Sequence, residues 1–524
     1  MGLYLPYNGN VWIFISLWIG LGIWKVHTTK KFKLSLFSKF LILGVLFLFT
    51  PFLYNKNIPF NLIYLRFIGI ISITVLYLSL QQFTFNKKDY FYFYFIIIYA
   101  TLLKSTAELI IQFFPNFLFN KNITIYLFNT LNHRNVQSTF LILGSLLSLF
   151  IFSNKKKYYS TFSFKDLILF FTTFIISINL ILLQSKTALV ALPISTALIL
   201  YGKNNFNKKV ILWLILTFSG LLIGNYLKEN FSRNTRFAKR SAISNSNSFN
   251  VRFGIYKLSF DLWREKPFAG YGYGTFLSTF RNYYAKQKAK DPNIIHLGSK
   301  NVLHPHNEFL YWLVEGGIIA FAGLLIIAGS FIILIWKSKL RGPLVLIGCI
   351  FPILFHTQLE YPFYNSTIHL FLFCFFIFQI DKKYGEHKIY KHSFKFLPKS
   401  LAFVLPITSI LFLLTVLQSG YIITKYENTG NIQLLQKALN PNSLKIKYDN
   451  YLLKAYLKKA KKNKNKQKLN NYISIVEKNI KHSPFIFLYY DLATAYEVLG
   501  EMDKASEIYN KGKYLYPDTN WKNK

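Results

Sequence analysis

The chain has 524 residues, a formal net charge of +41, and 52% hydrophobic residues gathered into long runs between short charged ones. That composition excludes an ordinary soluble globule and points to a membrane protein. The positive charge does not imply nucleic acid, because the lysines sort by loop instead of forming one patch.

A membrane span needs about 20 mostly apolar residues. In chain order the candidates are 11–27, 35–54, 60–82, 90–114, 136–153, 165–185, 187–201, 210–227, 316–336, 343–359, 365–380 and 401–423. Lipid leaves unpaired backbone groups unsatisfied, so these segments are predicted to be helices. Residues 91–100 do not alternate as a barrel strand would. No basic region precedes the first apolar run, so no cleavable signal peptide is expected. Cys349 and Cys374 fall inside predicted spans, and neither is placed for a disulfide or a metal site.

Charge then sets the topology. Lys25, Lys30, Lys31 and Lys33 follow the first span, Lys87 and Lys88 the third, Lys155 to Lys157 and Lys165 the fifth. Lys203, Lys208 and Lys209 follow the seventh, Lys337, Lys339 and Arg341 the ninth, and Lys382, Lys383, Lys388, Lys391, Lys395 and Lys399 the eleventh. Short loops of the other parity carry only Lys56, Lys121, Arg134 and Lys186. By the positive-inside rule the odd spans end in the cytoplasm. Both termini, the loop 228–305 and the tail 424–524 are then expected outside.

The loop 228–305 is the long connection, and long loops are usually functional. It opens on Arg233, Arg236, Lys239 and Arg240, which read either as interfacial anchors or as attraction for an anionic head group or pyrophosphate. An amphipathic helix through Trp263 is predicted to stop at Pro267, where Gly270, Gly272 and Gly274 permit a tight turn. Further on, His304-Pro-His306-Asn307-Glu308 stands at the outer mouth of a span. A hydrogen-bonded structural cluster is one reading. Zinc is disfavoured, since His-x-His lacks helical i, i+4 spacing. An imidazole that takes a proton fits best.

Three more polar clusters fall at the same predicted face: Leu131 to Gln137 with His133, Arg134 and Asn135; Gln184-Ser-Lys186-Thr; and His356 to Tyr364 with Gln358, Glu360 and Tyr361. Lys186 alone reads equally as a snorkelling anchor. Arg66 and the Lys104/Glu108 pair lie deeper; an internal ion pair is expected for the latter. The role of Arg66 stays open, and it invites a transporter reading.

These motifs together resemble the bacterial O-antigen ligase/polymerase superfamily (Wzy_C-type), most of all its protein O-oligosaccharyltransferase branch, the PglL-like pilin-glycosylating enzymes. The resemblance rests on Arg252, Trp263, Pro267, Gly270, Gly272, Gly274 and Phe276, on His304, His306, Asn307, Leu310, Glu315 and Gly317, and on Gln358, Glu360, Tyr361, Pro362 and His369. His133 stands where Gln is common, and Lys186 where Arg is usual. Lysine keeps the charge but loses the bidentate fork. Tyr489, Leu492, Ala493, Tyr496, Gly500, Ala505, Tyr509 and Pro517 are spaced like one tetratricopeptide repeat, which should pack on helices from 430–480. Residues 453–482 are too polar to span and are read as lying against anionic lipid.

The resemblance implies an all-α polytopic membrane protein, GT-C-like, with about twelve spans. It divides the chain into a bundle 1–227, an outer catalytic loop 228–305, spans 306–423 and a helical TPR-like tail 424–524. It implies an inverting transfer, without metal or cofactor, in a bacterial inner membrane with the site on the periplasmic side. The donor would be an undecaprenyl-pyrophosphate oligosaccharide and the acceptor a Ser or Thr hydroxyl of a periplasmic or pilin-like protein. Ligation to lipid A core, repeat-unit polymerisation and non-enzymatic flipping are the alternatives. Catalysis would fall to His306, His304, Asn307 and Glu360. Substrate binding would fall to Lys186, Arg252, Arg134, Asn135, Gly272, Glu308, Gln358 and Tyr361.

Overall fold

The computed structural model describes residues 5–55, 60–113, 133–154, 163–231, 248–338, 341–391, 399–462 and 465–521. Leu131 and the basic group Arg233, Arg236, Lys239 and Arg240 lie outside the described residues. The long apolar runs form helices: α1 (Leu5–Thr29), α2 (Leu36–Phe49), α3 (Phe60–Leu80), α4 (Lys87–Phe113), α5 (Arg134–Phe152), α6 (Phe164–Leu182), α7 (Lys186–Lys203) and α8 (Lys208–Phe231). The long loop contributes α9 (Ser248–Glu265) and α10 (Phe276–Lys290). Then come α11 (Glu308–Lys337), α12 (Arg341–Thr357), α13 (Thr367–Tyr384) and α14 (Leu401–Thr429), followed in the tail by α15 (Lys445–Lys462), α16 (Lys466–Ile480), α17 (Ile486–Leu499) and α18 (Met502–Leu515). Among the described residues nine helices are long and apolar enough to cross a membrane. The other three expected positions hold the shorter or less apolar α7, α12 and α13. The protein is therefore an all-α polytopic membrane protein.

Two compact units cut across the sequential segments. The first combines Met1–Ile42, Ile68–Ser246 and Ile326–Ile410; the second combines Leu43–Phe67, Asn247–Leu325 and Leu411–Lys524.

In the first unit α5 is the buried axis, with nearly every side chain enclosed. Small residues bring its neighbours close. A Cβ on Gly220 or Gly224 of α8 would come within 2.8 Å of a carbonyl oxygen of α6, the close approach that small-xxx-small spacing permits. The helices meet at two polar ends. At one, β1 (Lys31–Ser35) pairs antiparallel with β2 (His387–Lys391), Lys31 facing Lys391 and Ser35 facing His387. There Gln82 Oε1 accepts from Lys33 N, and Lys203 Nζ reaches Asn154 Oδ1 at 2.5 Å. Loops after the first, third and eleventh spans thus meet one another, as do those after the fifth and seventh. The charge-sorted parity predicted that grouping. The Lys104–Glu108 ion pair is present at 3.6 Å, and Gln137 Nε2 donates to the same carboxylate at 2.8 Å.

In the second unit the tail forms its own core from α15 to α18, including Leu457, Leu469, Tyr472, Val476, Leu492, Tyr496 and Leu515. α17 and α18 make a hairpin whose turn uses Gly500 in the left-handed region, φ 83°. The hairpin packs on the preceding helices. A separate cluster, with Leu258, Leu262, Phe276, Phe280, Leu297 and Val314, holds α9, α10 and the start of α11 together.

Candidate active site

In the first unit three motif segments converge on the polar end opposite the β-ribbon. α7 starts at Lys186 because Ser185 caps it, its Oγ accepting from Ala188 N. The same hydroxyl donates to Asn135 Oδ1 at 2.9 Å, near the start of α5. Asn135 Nδ2 donates to Glu360 Oε1 at 2.9 Å. Glu360 Oε2 lies 3.1 Å from His356 Nε2 and 3.3 Å from His133 Nδ1. Inside, Thr139 Oγ1 is 3.1 Å from both His356 Nδ1 and His369 Nε2, and His369 Nδ1 is 2.7 Å from Ser366 Oγ. Burial acts to raise the Glu360 carboxyl. The hydrogen bonds from His133 and His356, with their charges, outweigh it and hold Glu360 below the ordinary carboxylate range.

That network ties the N-termini of α5 and α7 together and places Arg134 and exposed Lys186 at their first positions. Cations there oppose the helix dipoles and do nothing for helix stability. With an anion present, both the cations and the positive ends of the two helix dipoles become favourable.

In the second unit the glycine turn explains its own spacing. Trp263 Nε1 donates to Pro267 O at 3.1 Å and closes the end of α9. α11 is broken at Gly317, φ 66° and ψ −176°. The turn docks against that break: Tyr271 N donates to Val314 O at 2.9 Å, Gly272 N to Glu315 O at 2.8 Å, and Ile318 N to Pro267 O at 2.8 Å. A Cβ on Gly270 would sit 2.6 Å from Glu315 O, and one on Gly317 2.1 Å from Phe268 O, so larger residues are excluded at both. Glu315 Oε1 accepts from Gly274 N at 2.9 Å and Phe276 N at 3.1 Å, the start of α10. Its Oε2 pairs with Arg66 Nη1 at 2.6 Å. The Arg66 guanidinium lies over Trp312 at 4.0 Å and Tyr311 at 4.5 Å. Arg66 is therefore half of an internal ion pair.

Beside this frame, His306 takes a left-handed backbone, φ 57°. Its N–H donates to His304 Nδ1 at 3.0 Å, and Tyr256 Oη donates to its carbonyl at 3.1 Å. His304 Nδ1 is thus an acceptor, which puts the proton of a neutral His304 on Nε2. The two rings stand 4.4 Å apart. Arg252 lies one helical turn before Tyr256, on the α9 face that reaches His306.

Two family comparisons fit these positions. Residues 171–325 match the O-antigen ligase family, and residues 344–524 match the family described as virulence factor membrane-bound polymerase, C-terminal. The chain belongs to the O-antigen ligase/polymerase superfamily. No curated protein matches it. As a superfamily member it is a multi-pass membrane enzyme that transfers glycans, of the ligase or polymerase kind. The first match holds Lys186, Arg252, Gly272, His304 and His306; the second holds Gln358, Glu360 and Tyr361.

The predicted residues divide by partner. Asn135 and Glu360 belong to the network of the first unit, and Arg134 and Lys186 stand at the helix starts that it ties together. Gln358 donates to Thr357 Oγ1, and the Tyr361 ring packs at a tilt against Tyr364, centroids 5.7 Å apart. In the second unit Asn307 caps α11 by accepting from Leu310 N, and Glu308 accepts from Trp312 Nε1. Ser185, Thr139 and His356 join the network although sequence reasoning gave them no role. Ser185 carried a signal, a hydroxyl just before an apolar run.

Proposed function

We propose that this superfamily member transfers an oligosaccharide from undecaprenyl-pyrophosphate to Ser or Thr hydroxyls of a periplasmic or pilin-like protein. The observation that carries the proposal is the pair of helix N-termini cross-linked by Ser185, Asn135 and Glu360, which presents Lys186 and Arg134 at their first positions. The leaving pyrophosphate carries negative charge, and preorganised cations stabilise it as it departs. Arg252 is assigned the same task. A Ser hydroxyl is a poor nucleophile at neutral pH, so a base helps. His306 is assigned that role and His304 the role of aiming it, because His304 Nδ1 already holds the His306 backbone. Attack in line with the departing group inverts the anomeric centre. The donor already stores the activation, so no nucleotide is required.

The sorted lysines support an inner-membrane orientation with the network and the loop outside. A second reading, joining of saccharide repeat units, is favoured by the polymerase description that the tail matches. The tail therefore does not separate protein from saccharide acceptors. The test is reconstitution with a lipid-linked glycan, offering a candidate pilin-like protein and a second saccharide together, with mass spectrometry of every product. Glycan on the protein is expected; glycan only on saccharide establishes the polymerase reading instead. Cysteine labelling should place 248–305 outside, and a cytoplasmic His306 would defeat the mechanism.

A further inference from the structure

Residues 291–307 connect α10 to α11 without regular structure, and they deliver His304 and His306. A segment of that length needs side chains to fix it. One side comes from α10. Tyr284 Oη lies 2.8 Å from Ile295 O, Lys288 Nζ donates to Ile294 O at 2.9 Å, and Arg281 to Lys300 O. The other side comes from the far end of the chain. Asp518 accepts from Leu297 N at 2.8 Å and from Tyr284 Oη, and pairs with Lys288 at 3.3 Å. Tyr516 donates to Asn301 Oδ1 at 2.6 Å, is fully buried, and stacks under the Arg281 guanidinium at 4.1 Å. Pro484 O lies 2.6 Å from the same hydroxyl, so Tyr516 is anchored to the tail as well.

We infer that Tyr516 and Asp518 are positioning residues, by which the tail sets the placement of the segment carrying His304 and His306. Neither touches the reacting groups; Asp518 acts through Leu297 and Tyr516 through Asn301. The activity arm of the test rests on His306 acting in the proposed transfer, whereas the structural arm does not.

The variants are Asp518→Ala and, to leave the tail itself untouched, Tyr284→Phe in α10. Hydrogen exchange on the full-length protein in detergent should show faster exchange confined to 294–306, with 466–499 as protected as in the wild type. Single-turnover transfer should fall by about ten- to a hundredfold, as small misplacements of reacting groups do, with unchanged affinity for the lipid-linked donor. In the His306→Ala background Asp518→Ala should add less than threefold, because both act through one group. Unchanged exchange in 294–306 would overturn the inference. So would loss of protection throughout the tail in Asp518→Ala with no effect of Tyr284→Phe, or fully multiplicative losses in the double variant. Should the wild type transfer no glycan at all, the proposed function fails while the exchange result still decides the clamp.

Discussion

The ion pair between Arg66 and Glu315 makes a quantitative test of how the glycine turn is held. The contact is 2.6 Å, with the two side chains 4% and 0% exposed. Glu315 also accepts two backbone N–H groups, from Gly274 and Phe276. Arg66→Met removes the countercharge and leaves a buried carboxylate; removing one partner of such a pair costs about 3–5 kcal/mol. Glu315→Gln leaves the guanidinium buried against Trp312 and Tyr311, at a similar cost. The double variant keeps an amide oxygen for the two N–H groups and puts an apolar stem beneath the aromatic rings. Replacing a whole buried pair is often close to neutral, so the double variant should lie within about 1–2 kcal/mol of the wild type. At roughly 2–4 °C per kcal/mol for a cooperative unit of this size, each single variant should lose on the order of 10 °C in Tm. The assay is thermal unfolding of the detergent-purified protein followed by tryptophan fluorescence. Single variants that melt with the wild type, or a double variant whose loss equals the sum of the singles, would show that the pair does not hold the turn.

Three further outcomes follow from the site. His306→Gly and His306→Ala should both lower transfer by about two to four orders of magnitude, the usual range for a lost general base, while the protein still inserts; a near-normal rate in either variant would transfer the base role elsewhere. Lys186→Ala should weaken transfer and Lys186→Arg retain much of it, whereas full activity of Lys186→Ala at equal protein level makes the residue an interfacial anchor. Glu360 is held below its ordinary value, so its stabilisation is complete above about pH 4.3 and drains away as the pH falls through the lower folded value. Glu360→Gln should therefore flatten the acid limb of a Tm-against-pH curve, and an unaltered limb would mean that the network does not depend on the charge.

Helices were legible because twenty apolar residues in lipid have few alternatives. The parity of charged loops was legible as well, and the ribbon of β1 and β2 obeys it, joining two lysine-bearing loops. The ribbon itself was not foreseen: Lys31-Phe-Lys-Leu-Ser35 alternates, but its partner lies near the other end of the chain, and local alternation carries no register over that distance. Arg66 was recognisable as a costly intramembrane charge, yet nothing local named Glu315 as its partner, since Glu315 stood only among the residues that carry the resemblance. In the first unit, the convergence of polar clusters on one end could be argued from topology. The bonds that join them could not, since Ser185, Asn135 and Glu360 come from three separate helix ends.

The backbone at His306 separates a functional from a merely structural reading of its motif. Four non-glycine residues among those described have positive φ: Lys30, Gln184, Asn204 and His306. Lys30 and Asn204 directly follow the ends of α1 and α7, and Gln184 comes one residue later, after Leu183 has capped α6; these are positions where a left-handed residue is the ordinary way to finish a helix. His306 follows no helix; it precedes α11. A left-handed backbone costs a residue with a Cβ about 1–2 kcal/mol, and the chain uses glycine for that geometry nearby, at Gly270, Gly272, Gly274, Gly298 and Gly317. Were position 306 only a turn, glycine would serve it with less strain. Retaining an imidazole there, with its N–H and carbonyl held by His304 and Tyr256, makes sense when the ring itself is needed. The His306→Gly variant weighs the two directly: relief of strain should leave Tm unchanged or raise it, while transfer collapses. A marked fall in Tm would mean that the ring is there to pack.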